Sequence, residues 1–227
     1  MSYKQTEFSD CIILAPERDP PSAAVIWLHG LGADGHDFVP IVPELQLTAA
    51  EAPRFVFPHA PVRAVTINNG MHMRAWYDIF EFSLNAREDA AGIRASAEIV
   101  ERYVQRERDA GIAAGRIVLA GFSQGGAIAL HTGLHHAERL AGILALSAYL
   151  PLRRELEAPL PANRGLPILM CHGEEDPVLP VARAELSRDL LRAQGYQVEL
   201  KLYHMQHQVS QAEIADIAAW LRAVLPG

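Results

Sequence analysis

The chain predicts an α/β domain: a mostly parallel sheet with helices packed on both faces, in three layers. Short apolar, β-branched runs alternate with longer segments of helical period along its length. Several of those runs are nearly continuous in apolar residues, as strands buried on both faces must be. There is no internal repeat, low-complexity tract or Ser/Gly linker. At 227 residues, 50% hydrophobic and 21% charged, the chain can bury a sizeable core, and a single domain over 1–227 is expected.

Strands are predicted, in order, over 11–14, 23–28, 54–57, 116–120, 142–147, 167–172 and 197–203. Between the third and fourth, Asn69-Gly70 marks a short hairpin over 65–73, because this pair accepts the left-handed backbone of a tight turn. A helix over about 88–110 places Ile93, Ala97, Val100 and Val104 on one face. Ala182, Leu186 and Leu190 mark a second crossover helix in the same way. Ser210-Gln-Ala-Glu213 reads as a capping box that starts a last helix carrying Ile214, Ile217, Ala218, Leu221 and Leu225 on one stripe. Repeated strand-helix-strand units give right-handed crossovers, and ligands of such sheets bind beyond the carboxyl ends of the strands.

The formal net charge of −7, from 20 Lys+Arg against 27 Asp+Glu, and the lack of any basic run exclude a general nucleic-acid binder. The first ten residues are polar and acidic, so no export signal is expected. The most apolar stretches, 23–28 and 141–150, fall short of the roughly 18 residues a membrane span needs, so no integral membrane association is expected. Cys11 and Cys171 lie in strand-like runs and are expected to be buried and reduced, in a cytoplasmic protein.

Gly121-Phe-Ser-Gln-Gly-Gly126 follows the strand over 116–120 and precedes a helical run. This is G-x-S-x-G where a strand turns sharply into a helix, which exposes the oxygen of the central residue. Ser123 is therefore the candidate nucleophile. It needs a base to take its proton and an acid to orient that base. The strand over 167–172 ends in Gly173-Glu-Glu-Asp176-Pro177, and any of Glu174, Glu175 and Asp176 suits the acid; Asp176 is favoured by the stiff Pro177 beside it. Of the ten histidines, His135-His136 ends a helix and His172 lies inside a strand. His204 continues the face of Val198, Leu200 and Leu202 and reads as a packed strand-end residue. His207 sits in a free loop before the Ser210 cap and is taken as the base. The order Ser123, Asp176, His207 is that of nucleophile-elbow hydrolases.

After the strand over 23–28, His29-Gly-Leu-Gly-Ala-Asp-Gly35 contains G-x-G-x-x-G, the dinucleotide-binding pattern. That reading needs a helix at once and an acid at the end of the next strand. Pro40 and Pro43 interrupt the first, and Pro58-His59 replaces the second. The alternative is a loop that offers backbone N–H groups to a developing oxyanion, with Leu31 and Gln124 as donors. The segment from Met71 through Trp76, Tyr77, Phe80 and Phe82 holds many large apolar groups outside a helix and reads either as an acyl groove or as a satellite core. Met73 and Trp76 are the expected acyl contacts.

Together, Leu28-His-Gly-Leu-Gly32, Gly121-Phe-Ser-Gln-Gly-Gly126, His172-Gly-Glu-Glu-Asp176 and Met205-Gln-His207 resemble the small bacterial carboxylesterases related to acyl-protein thioesterases and lysophospholipases, within the α/β-hydrolase fold. The likeness spans about 25–225, and Ala75-Trp-Tyr-Asp-Ile79 resembles that family's substrate-loop signature. It implies Ser123, Asp176 and His207 as the triad, Leu31 and Gln124 as the oxyanion pair, and no metal or cofactor. Relatives often read Pro-Met-Gly-His-Glu where this chain has His204-Met-Gln-His-Gln208. There is no room for a large cap domain. The expected activity is hydrolysis of short to medium carboxylic esters through an acyl-enzyme. The alternatives are hydrolysis of acyl-protein thioesters, releasing the lipid from lipidated protein, or of lysophospholipids; a non-catalytic binding protein of the same fold is a more distant one. A homodimer through exposed loop hydrophobics is a further expectation.

Overall fold

The structure is a computed structural model that describes residues 3–17, 21–48, 51–81, 87–159 and 161–225. Its elements run, in chain order, β1 (Tyr3–Glu7), β2 (Cys11–Pro16), β3 (Ala24–Leu28), α1 (Ile41–Glu44), β4 (Arg54–Pro58), β5 (Val62–Val65), β6 (Met71–Arg74), α2 (Ala90–Asp109), β7 (Ile117–Phe122), α3 (Gln124–His135), β8 (Gly142–Leu146), β9 (Pro167–Gly173), α4 (Val181–Ala193), β10 (Gln197–Tyr203) and α5 (Gln211–Val224). Eight strands form one sheet in the order β1-β2-β4-β3-β7-β8-β9-β10. From β4 to β10 every pairing is parallel, while β2 pairs antiparallel with both of its neighbours.

The period of two along a strand sends alternate residues into two cores. Ile26 and Leu28 join Ile93 and Val100 of α2, Ile128 of α3 and Leu191 of α4 on one face. Val25 and Trp27 join Ile41 of α1, Leu45 just after it, and Ile214, Ile217 and Leu221 of α5 on the other. The three-layer expectation holds because β3, β7 and β8 are buried along both faces. Asp89 caps α2 by accepting from Gly92 N–H, and the reciprocal capping box of Ser210 and Glu213 starts α5. β5 and β6 form the hairpin, with Asn69 and Gly70 both at positive φ.

Three elements depart from expectation, the first being α1, a four-residue helix that starts directly after Pro40 and contains Pro43. β1 was not anticipated: it is an exposed edge strand of mainly polar residues, so it carries no apolar period. In α4 the buried face is Ala184, Ser187 and Leu191, whereas Ala182 is exposed and Leu186 is 38% exposed. Of the expected stripe only Leu190 packs against the core, and it is partly buried. Ser187 takes a place on the buried face because its hydroxyl accepts from Leu150 N–H (2.8 Å) and donates to Arg183 O (2.6 Å). No described helix is long and apolar enough to cross a membrane.

Candidate active site

The elbow between β7 and α3 is built by close backbone approach. A Cβ at Gly121 would lie 2.4 Å from the Gly125 carbonyl, and one at Gly125 would lie 2.4 Å from Leu28 O, so α3 can start this near β3 and β7 only with glycines there. Between them Ser123 is held at φ 54°, ψ −117°, a conformation strained for a non-glycine residue. Its N–H donates to Leu146 O at 2.8 Å, which ties the elbow to the end of β8.

The residues expected as nucleophile, base and acid lie in one hydrogen-bonded line at the carboxyl ends of β7, β9 and β10. His207 Nε2 is 3.0 Å from Ser123 Oγ, and His207 Nδ1 is 2.6 Å from Asp176 Oδ2. A carboxylate only accepts, so Nδ1 carries the proton facing Asp176 and Nε2 is left to accept from the Ser123 hydroxyl. Asp176 is immobilised: its other oxygen accepts from Val178 N–H (2.9 Å) and Leu179 N–H (2.8 Å), and its side chain is fully buried. The Phe122 ring packs on the His207 ring at 4.8 Å between centroids. Buried His172, inside β9 as expected, donates from Nε2 to Leu179 O (2.8 Å), and burial lowers its pKa.

The structure separates the alternatives that the sequence leaves open. Glu174 and Glu175 are exposed and lie 3.8 and 3.3 Å from His204 Nδ1, whereas His207 Nδ1 meets Asp176. His204 is not a packed residue: its side chain is 83% exposed, because β10 ends at Tyr203 and the chain turns there.

On the other side of Ser123, the β3 loop brings Leu31 to the same cavity as Gln124. Among the described residues neither the Leu31 nor the Gln124 backbone N–H donates to a backbone carbonyl. Gln124 is the first residue of α3, where such a group is unpaired by geometry. His29 shapes this loop. Its Nδ1 donates to Gly30 O (2.7 Å) and its Nε2 accepts from Ala60 N–H (3.0 Å), and burial holds its pKa down at about 4. Gly32 N–H is taken by Arg74 O, and no helix opens at Gly35, so the nucleotide-binding alternative finds no support in the loop.

A cavity of about 710 Å³ opens from Ser123 and His207, within the usual range for small-molecule sites. Tyr77, Ile79 and Phe80 line one wall; Tyr149, Leu186 and Leu190 line another. Leu186 thus faces the cavity, and Leu190 lines it while also packing against the core. The signal for this was available, since Ala184 and Leu191 already supply α4 with a face for the core, leaving Leu186 in excess.

Met73 and Trp76 are corrected as acyl contacts, because neither lines the cavity. Trp76 is fully buried with its Nε1–H on His29 O (2.9 Å), and Met73 Sδ accepts from Asn68 Nδ2 (3.2 Å) within the hairpin. Burying a large aromatic outside a helix served the core here, and the cavity surface passes to its neighbours Tyr77 to Phe80. Phe82, expected in the same groove, lies outside the described residues.

A family profile described as Phospholipase/Carboxylesterase matches residues 9–225. Acyl-protein thioesterase 1 of Gibberella zeae is 39% identical over 224 residues, covering 94% of this chain and 95% of that one. Acyl-protein thioesterase 1 homolog 1 of Dictyostelium discoideum is 38% identical over 208 residues, covering 90% and 92%. The crystal structure of Zea mays acyl-protein thioesterase 2 matches with a TM-score of 0.85 and 28% identity, covering 96% of this chain and 100% of that one. These curated relatives are fungal and slime-mould proteins, so the expected kinship with bacterial carboxylesterases reduces to the family itself. The chain belongs to the phospholipase/carboxylesterase family, has the α/β-hydrolase fold without a large cap domain, and is a hydrolase.

Proposed function

We propose that this chain is a serine hydrolase of long-chain acyl thioesters, of the acyl-protein thioesterase type, with carboxylic esters as secondary substrates. The observation that carries the reading is the line from Ser123 Oγ through His207 to Asp176 at the mouth of a largely apolar cavity. The 39% identity to a thioesterase along nearly the whole chain supports the thioester over the small-ester alternative. Two buried, unpaired cysteines support action in the reducing cytoplasm. Every residue invoked comes from one chain, so the reading needs no second copy.

In this mechanism His207 Nε2 takes the Ser123 proton as Oγ attacks the acyl carbonyl carbon. The carbonyl oxygen becomes an oxyanion held by the Leu31 and Gln124 N–H groups. The C–S or C–O bond then breaks, and His207 gives its proton to the departing thiolate or alkoxide. Water, deprotonated by His207, attacks the acyl-enzyme and releases the carboxylic acid and Ser123. Asp176 holds the Nδ1–H tautomer and stabilises the imidazolium that forms twice per turnover.

The test is kcat/KM for paired oxygen esters and thioesters from acetyl to palmitoyl, with Ser123→Ala as the blank. A rise toward long chains with thioesters ahead is expected. A peak at short oxygen esters would transfer the reading to a small-ester carboxylesterase. Hydrolysis retained by Ser123→Ala would end the serine mechanism.

A further inference from the structure

The Gln124 side chain has no part in the proton relay, yet it is nearly inaccessible and hydrogen-bonded at both its oxygen and its nitrogen. Its Oε1 accepts from Trp76 N–H and its Nε2 donates to Tyr77 O, both at 2.7 Å. The segment it grips is held from other sides: Trp76 Nε1–H on His29 O, Ser96 Oγ–H on Trp76 O, and Asp78 N–H on Asp89 Oδ2. Tyr77 lines the cavity beside Ser123. His29 extends the network to Gly30 O, in the loop that carries Leu31. A buried amide bonded at both ends to another segment's backbone cannot shift alone, because each broken bond leaves an unpaired polar group out of water. One residue therefore bears a proposed oxyanion donor on its main chain and fixes a cavity wall with its side chain.

We propose that the Gln124 side chain is a positioning residue that couples acyl-chain contact with the Tyr77 wall to the oxyanion site, and so sets the dependence of the rate on acyl length. This rests on the serine-hydrolase reading above. A chain packed on Tyr77 presses on a segment bonded directly to the residue whose N–H must meet the oxyanion. Acyl length is then expressed at the transition state, where binding raises the rate.

Gln124→Met keeps the length of the side chain and removes both hydrogen bonds. Its kcat/KM should fall at least ten-fold more on decanoyl than on acetyl substrates, flattening the slope of log kcat/KM against acyl length. A loss equal at all lengths, or no loss, overturns the proposal, since a merely structural role would not select by length. Gln124→Glu adds a second readout. Its carboxylate accepts from Trp76 N–H but cannot donate to Tyr77 O, whereas the protonated form does both. Decanoyl activity relative to wild type should therefore rise several-fold as pH falls, with no such rise for Gln124→Met; parallel profiles overturn the proposal. Amide hydrogen exchange supplies an arm independent of turnover. Trp76 N–H should lose protection in Gln124→Met while the β7 and β8 amides keep theirs, and unchanged Trp76 protection overturns the proposal. A wild type that cleaves no ester defeats the hydrolase reading and with it the length dependence, whereas the exchange arm separately decides whether the Gln124 amide anchors the Trp76–Tyr77 segment.

Discussion

Two histidine–carboxylate groups sit three residues apart on the same sheet edge. His207 meets Asp176 at 2.6 Å with side chains 16% and 0% exposed; His204 meets Glu175 at 3.3 Å with side chains 83% and 55% exposed. The chemical types match, and both pairs lie between the β9 and β10 loops. They differ in burial and in what else holds the carboxylate. Asp176 has its second oxygen pinned by two N–H groups of its own loop. The exposed pair is screened by water and gains little from a single geometry. A triad needs a fixed tautomer and a fixed direction, and only the buried pair supplies both.

The largest effect should come from breaking the buried pair. Asp176→Asn leaves the shape but can donate to Nδ1, which favours the wrong tautomer, and kcat should fall by about 10⁴-fold. His207→Ala should cost at least as much. Steady-state kinetics on one good ester checks both; retention of a tenth of wild-type kcat in either would remove the relay.

A smaller effect, on stability, should come from Glu213, the capping acid just beyond the His207 loop. Its pKa is raised to about 8 because it is buried, so the folded state holds a proton that the unfolded chain releases at ordinary carboxylate pH. Between roughly pH 4.5 and 8 the folded state binds more protons, so this contribution to stability is complete below that window and is lost as pH rises through it. Glu213→Gln keeps an acceptor for Ser210 N–H and removes the titration. Melting curves should show a flatter fall in Tm from pH 5 to 9 than in wild type; identical slopes would show that Glu213 is ionised when folded.

The smallest effect should come from the exposed pair. His204→Ala and Glu175→Gln should each leave kcat/KM within two-fold and Tm within about 2 °C, as surface changes usually do. A ten-fold loss in either would mean that the outer pair shapes the base loop, and the contrast drawn above would fail.

The legible parts of this protein carry local signals. The elbow glycines, the Ser210 capping box and the Asn69-Gly70 hairpin each need particular residues within a few positions of one another, and each forms where expected. Parts that depend on partners distant in sequence were less legible. Trp76 looked like a pocket residue and is core, because His29, Ser96 and Gln124 supply its polar partners from three separate elements. Leu186 looked like core and faces the cavity, because Ser187 has Leu150 as a partner 37 residues away.

By itself the sequence determined the α/β alternation, strands apolar enough to be buried on both faces, the elbow that presents Ser123, and a short set of acids and histidines at the right strand ends. The tertiary structure added that Asp176, rather than Glu174 or Glu175, lies within hydrogen-bonding distance of His207, that His204 stands exposed at the end of β10, and which large side chains face the cavity. Periodicity and turn chemistry are local and leave a trace in neighbouring residues. Burial and hydrogen-bond partnership at a strand end depend on which loops meet there, and that is settled only when the sheet brings β7, β9 and β10 side by side.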